Sequence, residues 1–306
     1  MKSLAIIIGV SLLMMVGLYI FPSIIFLFPV AFIVIGVKYT IRDSFLSILL
    51  TSFLIGISVD IISGLIMLAV FGTMALYIAD SIIKRKKSVE IILPSALILF
   101  IASGIVFLML RGFSDISLID QVQESLNNYT QMQLELIEDM ELTNIEAFRI
   151  RETANDISRI IISILPSIMI VMSVVISYAN YYLSIVILRK LGLGIRDNPR
   201  FSRFSLPNNF IIGSLVMFLL VYLLGNLDAI PTDLIQMNLV VLIASLLYIQ
   251  GISVLDFLLV RRVINIVIRI IIIGITLFAS PLITFLIIVG LVDLLFDFRK
   301  LRKAKL

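Results

Sequence analysis

Residues 3–37, SLAIIIGVSLLMMVGLYIFPSIIFLFPVAFIVIGV, decide the fold: 35 positions pass without one charge. A membrane-spanning helix needs about 20 mainly apolar residues. The run is too long for one span and short for two full ones, and Phe21-Pro22 lies near its middle. Proline marks a helix boundary there, so the stretch predicts a tight hairpin of two short spans, about 4–20 and 23–37. Lys2 followed by a long apolar run imitates a signal peptide, but no Ala-x-Ala-like site follows, and a retained first helix is expected.

The rest of the chain has the same character. Of its 306 residues 61% are hydrophobic and 14% charged, against about 45–50% and about 25% in soluble domains. The mean hydropathy of +1.18 agrees. A soluble globule is excluded, and an all-α, polytopic transmembrane helix bundle is expected. The chain has no His, Cys or Trp. That removes imidazole bases, thiol nucleophiles, disulfides and the usual zinc and haem ligands. With no phosphate-binding glycine loop or GxSxG elbow either, neither a cofactor nor an enzyme is expected.

Further along, residues 44–83 carry only Asp60 and Asp80 as charges. Forty helical residues would stretch about 60 Å, twice the hydrocarbon thickness, so a break is expected near Asp60. Residues 91–110 make one span, and spans follow at about 160–188, with Pro166 kinking it, at 210–227 and at 234–260. The stretch 263–298 is divided at Ala279-Ser280-Pro281. It reads as one span or a short hairpin, and charge placement decides. With a cytoplasmic N-terminus and a terminal hairpin, nineteen of the 24 basic residues fall inside, as the positive-inside rule requires. They include Lys84, Arg85, Lys86, Lys87, Arg189, Lys190, Arg200, Arg203, Arg261, Arg262, Arg299 and Lys300. The reading is a multi-pass protein of the cell membrane with about 8–10 membrane segments and both termini cytoplasmic. The isoelectric point near 9.3 then follows from topology and does not argue for nucleic acid.

Three regions emerge: membrane helices over 1–110, an acidic extracytoplasmic insertion over 111–159, and membrane helices with a basic tail over 160–306. The insertion holds ten acidic residues and four arginines. Ile119, Val122, Leu126, Tyr129, Met132, Leu136 and Met140 recur at helical spacing, and Thr143-Asn144-Ile145-Glu146 has the form of a capping box. A helical hairpin on the outer end of the bundle is expected, either simply packed there or docking a partner. The loop 189–209 interleaves Arg200 and Arg203 with Phe201 and Phe204, which suits an anionic headgroup layer or a cytoplasmic protein.

Ionisable and amide residues within spans are expensive and mark candidate sites. Asp60, Asn180, Gln250 and Arg269 are the candidates for contact with a small solute. Ser52, Gly56, Asp60 and Gly64 share one face if the helix is continuous, so that another backbone approaches closely. If the chain turns there, Asp60 caps a helix. Arg269 has Asp256 or Asp293 as partners, or snorkels. Asp80 and Lys84 suit a helix-surface pair.

The chain resembles the YybS-like family of predicted bacterial membrane proteins. The resemblance rests on Phe28-Pro29-Val30 with Val37-Lys38-Tyr39, and on Arg189-Lys190-Leu191-Gly192 with Phe201-Ser202-Arg203-Phe204 and Leu206-Pro207. It continues in Gln250-Gly251-Ile252-Ser253-Val254 and in Gly290-Leu291-Val292-Asp293 with Asp297-Phe298-Arg299-Lys300. More remotely, residues 22–87 are similar to the front half of the substrate-binding S components of energy-coupling-factor vitamin transporters. The membrane organisation is also similar to that of MreD-type rod-shape scaffolds. The first likeness implies a transport-related protein binding a small molecule between helices. The second implies a scaffold that docks other membrane proteins through 111–159 or the basic loops. The lipid bilayer is a partner in either case.

Overall fold

A computed structural model describes residues 2–114, 118–138, 144–193, 201–207, 209–225 and 231–300. The described residues are helical without strands. Five helices or helix pairs are long and apolar enough to cross a membrane alone, over Ile41–Ser58, Ile61–Ile83, Ser88–Met109, Leu165–Lys190 and Thr232–Arg261. A bent pair at 266–296 adds a sixth candidate if it is one span, and shorter apolar helices lie at Ile6–Ile20, Pro22–Lys38 and Phe210–Leu224.

The chain packs as two units, Met1–Ile162 with Met169–Asn198 and Ser163–Ile168 with Pro199–Leu306. In the first, α1 (Lys2–Ile20) ends at Phe21, a 3-10 turn runs over Pro22–Leu27, and α2 covers Phe28–Lys38. Pro22 and Pro29 both stand in the first two positions of their helices, where a missing N–H is harmless. Next comes α3 (Ile41–Ser58), whose cap Thr40 accepts the Asp43 amide at 3.1 Å. After a turn at Val59-Asp60, α4 (Ile61–Ile66) passes through a π-helical stretch, Met67–Gly72, into α5 (Thr73–Ile83). One more apolar helix, α6 (Ser88–Ser114), carries Pro94 inside it.

The break at Asp60 settles how the small residues are used. On a continuous helix Gly56 and Gly64 would share a face. Instead the helix turns back, and a Cβ on Gly64 would lie 2.7 Å from the Ser52 carbonyl and 2.9 Å from the Gly56 Cα. The backbone that approaches is the chain's own next helix. Lipid tails are as apolar as leucine, so close backbone packing of this kind holds membrane helices together. Phe28, Phe32, Ile48, Met67, Met74, Ile78, Tyr181 and Ile185 fill the core of this unit.

Two amphipathic helices, α7 (Leu118–Glu138) and α8 (Asn144–Ser163), form the insertion. Thr143 lies outside the described residues, and with it the capping box. Pro166 does not kink a continuous helix: the chain leaves the helix at Ile164 and restarts as α9 (Leu165–Lys190), with the proline ring in a first turn that tolerates it.

The second unit contains α10 (Phe210–Leu224), α11 (Thr232–Arg261), α12 (Ile266–Phe278) and α13 (Ser280–Phe296). Asn238 of α11 repairs the break at Ile164. Its Nδ2 donates to the Ser163 carbonyl at 2.7 Å and its Oδ1 accepts from the Ser167 amide at 3.1 Å. Groups orphaned at a helix end need such partners. The extended residue Ala279 separates α12 from α13, which are bent by 107°, with Pro281 enforcing the stop. That supports the divided reading of 263–298 over a straight span. Helix α10 buries no residue; Phe210 and Ile211 pack partly against Leu206, Leu247 and Leu294, and the rest of this apolar helix faces outward, as a helix set against lipid does.

Candidate functional site

Asn180 lies fully buried on α9, about 15 Å of helix before the basic residues Arg189 and Lys190 that end it. That is about half the hydrocarbon thickness. Its Nδ2 donates to the carbonyl of Phe26 at 2.8 Å and of Ile176 at 2.9 Å. Two carbonyls fix the orientation of the amide, since the flipped form would set oxygen against oxygen. The other end, Oδ1, is buried and accepts nothing. On the same face Ser177 has only the Met74 thioether, at 3.4 Å, a weak acceptor. The hydroxyls of Ser184 on α9 and Ser81 on α5 are buried with no partner. Tyr181 differs, its hydroxyl lying 3.1 Å from that of Ser88.

Gln250 belongs to a polar cluster in the second unit where α11 and α13 cross. Its Oε1 accepts the Leu206 amide at 3.0 Å and its Nε2 donates to Asp293 Oδ2 at 2.6 Å. Arg299 donates to the same Asp293 oxygen from Nη2 at 2.8 Å and from Nε at 3.1 Å. The guanidinium also reaches the carbonyls of Ser202 at 3.0 Å and Phe204 at 2.8 Å, and Ser253 Oγ at 2.8 Å. Asp297, the C-cap of α13 with φ in the left-handed region, turns the chain so that Arg299 folds back on α13. Two glycines permit the crossing. A Cβ on Gly251 would lie 2.0 Å from the Leu286 carbonyl, and one on Gly290 2.0 Å from that of Leu247.

Sequence reasoning counted Arg299 as one more cation of the basic rim and gave Asp293 only to Arg269. The structure buries Arg299 and pairs it with Asp293. The signal was present in the motifs themselves, because Gln250 precedes Gly251 and Asp293 stands three residues past Gly290. A small-residue crossing flanked by polar side chains brings those side chains together.

Arg269 takes Asp256, donating from Nε at 2.8 Å and from Nη2 as well. Asp60 is exposed and caps α4, with Oδ1 accepting the Ser63 amide at 2.8 Å. Partial burial works to raise its carboxyl, and the bonds from the Ser63 hydroxyl and the amides of Ser63 and Ile62 outweigh it, leaving the group below its ordinary value. Asp60 and Asn180 thus lie in the first unit, Gln250 and Arg269 in the second, each with partners of its own.

Of the rim cations, Lys84 pairs with Asp80 at 2.6 Å. Lys86 sits 5.2 Å from the centre of the Tyr77 ring, Arg85 has a positive φ, and Lys87 caps toward Glu90 through its amide at 3.4 Å. Arg189, Lys190, Arg203, Arg261, Arg262 and Lys300 are exposed, and Arg200 lies outside the described residues. The Phe201 and Phe204 rings stack with their centres 6.5 Å apart.

Among the described residues no group of three or more carboxylates stands ready for a metal ion. A family model described as predicted membrane protein (DUF2232) matches residues 5–294. No curated protein matches the chain, and no solved structure does.

Proposed function

The chain belongs to that family of predicted membrane proteins, and from this premise we propose that it is transport-related, binding a small solute between the helices of its first unit. The carrying observation is Asn180 Oδ1, an acceptor buried at about mid-depth of the membrane with no donor. A buried polar atom without a partner costs about 1–3 kcal/mol, and a solute that donates to it removes that cost. Sites of secondary transporters lie near the bilayer midplane, which suits the place of Asn180 on α9. On this reading both termini lie on the basic, cytoplasmic face, and Asp60 acts as a helix cap apart from the solute. The test is thermal unfolding of the purified protein against a panel of metabolites, vitamins and cations. A saturable rise in melting temperature supports the reading, and none at saturating concentrations overturns it.

A second reading, a scaffold without transport, draws on α7, which leaves Ile119, Tyr129 and Met132 exposed on an acidic helix. A crosslinked partner lost on deletion of 111–159 supports it, and an unchanged partner set refutes it.

A further inference from the structure

Among the described residues of the first unit, five buried side-chain atoms have no partner: those of Ser47 and Ser52 on α3, and Ser81 Oγ on α5 with Asn180 Oδ1 and Ser184 Oγ on α9, the three that carry the inference. Asn180 and Ser184 are one turn apart on α9, a spacing that sets side chains about 5–6 Å from each other. Ser81 belongs with them by register. Ser177 touches Met74 at 3.4 Å; seven residues, or two turns, past those partners stand Ser184 on α9 and Ser81 on α5. Both helices end in cations shortly beyond, α5 at Lys84 and α9 at Arg189. Serines inside helices ordinarily bond the carbonyl four residues back, as Ser103, Ser158 and Ser173 do here. Ser81 and Ser184 do not.

We propose that the first unit binds an uncharged solute bearing hydrogen-bond donors, held by the Asn180 Oδ1 and the Ser184 hydroxyl on α9 and the Ser81 hydroxyl on α5. The inference rests on the solute-binding reading and adds the place and the class of ligand. Donors follow from Asn180, whose amide nitrogen is already spent on Phe26 and Ile176, so that only its acceptor is open. The absence of charge follows from the surroundings. Among the described residues of this unit the buried polar side chains are serines, Thr51 and Asn180, with no ion. An ion taken out of water without a counter-charge is strongly disfavoured, whereas hydroxyl, amide and ureide groups exchange one set of hydrogen bonds for another. Binding there also bears on the 3-10 turn Pro22–Leu27, because Asn180 holds that turn through Phe26.

The test uses the full-length protein in detergent and matched probes, uridine with uridine monophosphate, benzamide with benzoate, and inositol with inositol phosphate, plus sodium chloride. The expected result is stabilisation of the wild type by a neutral member and none by its charged counterpart. That shift requires at least tenfold more ligand in Ser184→Ala and in Ser81→Ala. Unliganded Ser184→Ala melts at or above the wild type, because the hydroxyl it removes has no partner to lose. Stabilisation by the charged member or by sodium alone overturns the inference while leaving solute binding intact, and so does a shift that survives Ser81→Ala/Ser184→Ala unchanged. If no probe and no member of the wider panel stabilises the wild type, both the inference and the solute-binding reading fall.

Discussion

Replacing Arg299 by methionine tests the polar cluster of the second unit most directly. Methionine keeps most of the volume and deletes the guanidinium. It leaves Asp293 with Gln250 as its one donor, and strips a donor from each of the carbonyls of Ser202 and Phe204. Removing one partner of a buried ion pair costs about 3–5 kcal/mol, because the other charge stays buried uncompensated. That corresponds to about two to three and a half powers of ten in the folding equilibrium, at about 1.4 kcal/mol per power. The double variant Arg299→Met/Asp293→Asn removes the stranded charge, keeps a side-chain oxygen as acceptor for Gln250 Nε2, and leaves the loss at the carbonyls, about 1 kcal/mol each. The double variant should therefore be more stable than the single one. Arg299→Lys falls between, since a lysine ammonium is a point charge and cannot span a carboxylate and two carbonyls as the planar fork does. Unfolding by titration with sodium dodecyl sulfate, followed by circular dichroism, measures all three. The natural chain has no cysteine, so Ser205→Cys introduces a unique thiol that reports on the 201–207 loop through its rate of maleimide labelling. The reasoning is refuted if Arg299→Met unfolds within about 1 kcal/mol of the wild type with unchanged labelling, or if the double variant is no better than the single one.

Other expectations follow from the same contacts. Gly290→Ala places a methyl 2.0 Å from the Leu247 carbonyl and should cost at least the 1–3 kcal/mol typical of overpacking, while Gly104→Ala, with open space around it, should be neutral or mildly stabilising in the same titration. Asp60→Ala removes a helix cap and should cost about 1 kcal/mol, with Asp60→Asn retaining most of it. Because the folded-state carboxyl of Asp60 lies below its ordinary value, its contribution is complete above the unfolded-state value of about 3.9. It drains away as the pH falls through the lower folded-state value, so wild type and Asp60→Asn should converge in strong acid. Lys84→Ala breaks an exposed pair with Asp80 and should change stability by no more than about 0.5 kcal/mol.

The parts of the fold that are local were legible. Proline and hydropathy placed the ends at Phe21, Asp60 and Ala279, since a missing N–H or a carboxylate in an apolar run acts on its immediate neighbours. The Lys84 pairing was legible for the same reason, its partner standing one turn away. The cluster at Gln250 was not, because its members are separated by 43 and 6 residues, and a terminal arginine next to other cations has the local signature of an interface residue. Asn180 was legible as a polar residue at depth. Which of its two ends stays free depends on the Phe26 carbonyl, 154 positions away.

Helix α10 carries a consequence of a different kind. With no buried residue over Phe210–Leu224, and only Phe210 and Ile211 packed against the core of its unit, it turns most of its side chains toward lipid, a solvent that distinguishes apolar from polar and little else. Leucine, isoleucine, valine and phenylalanine are nearly synonymous there, so drift among them is almost neutral and erases any record of ancestry within a few substitutions per site. The glycines at 251 and 290, where a single methyl has no room, are under the opposite constraint. Kinship among such chains is therefore written in a few small and polar positions, and a comparison that weighs every residue alike dilutes that record with hydrocarbon.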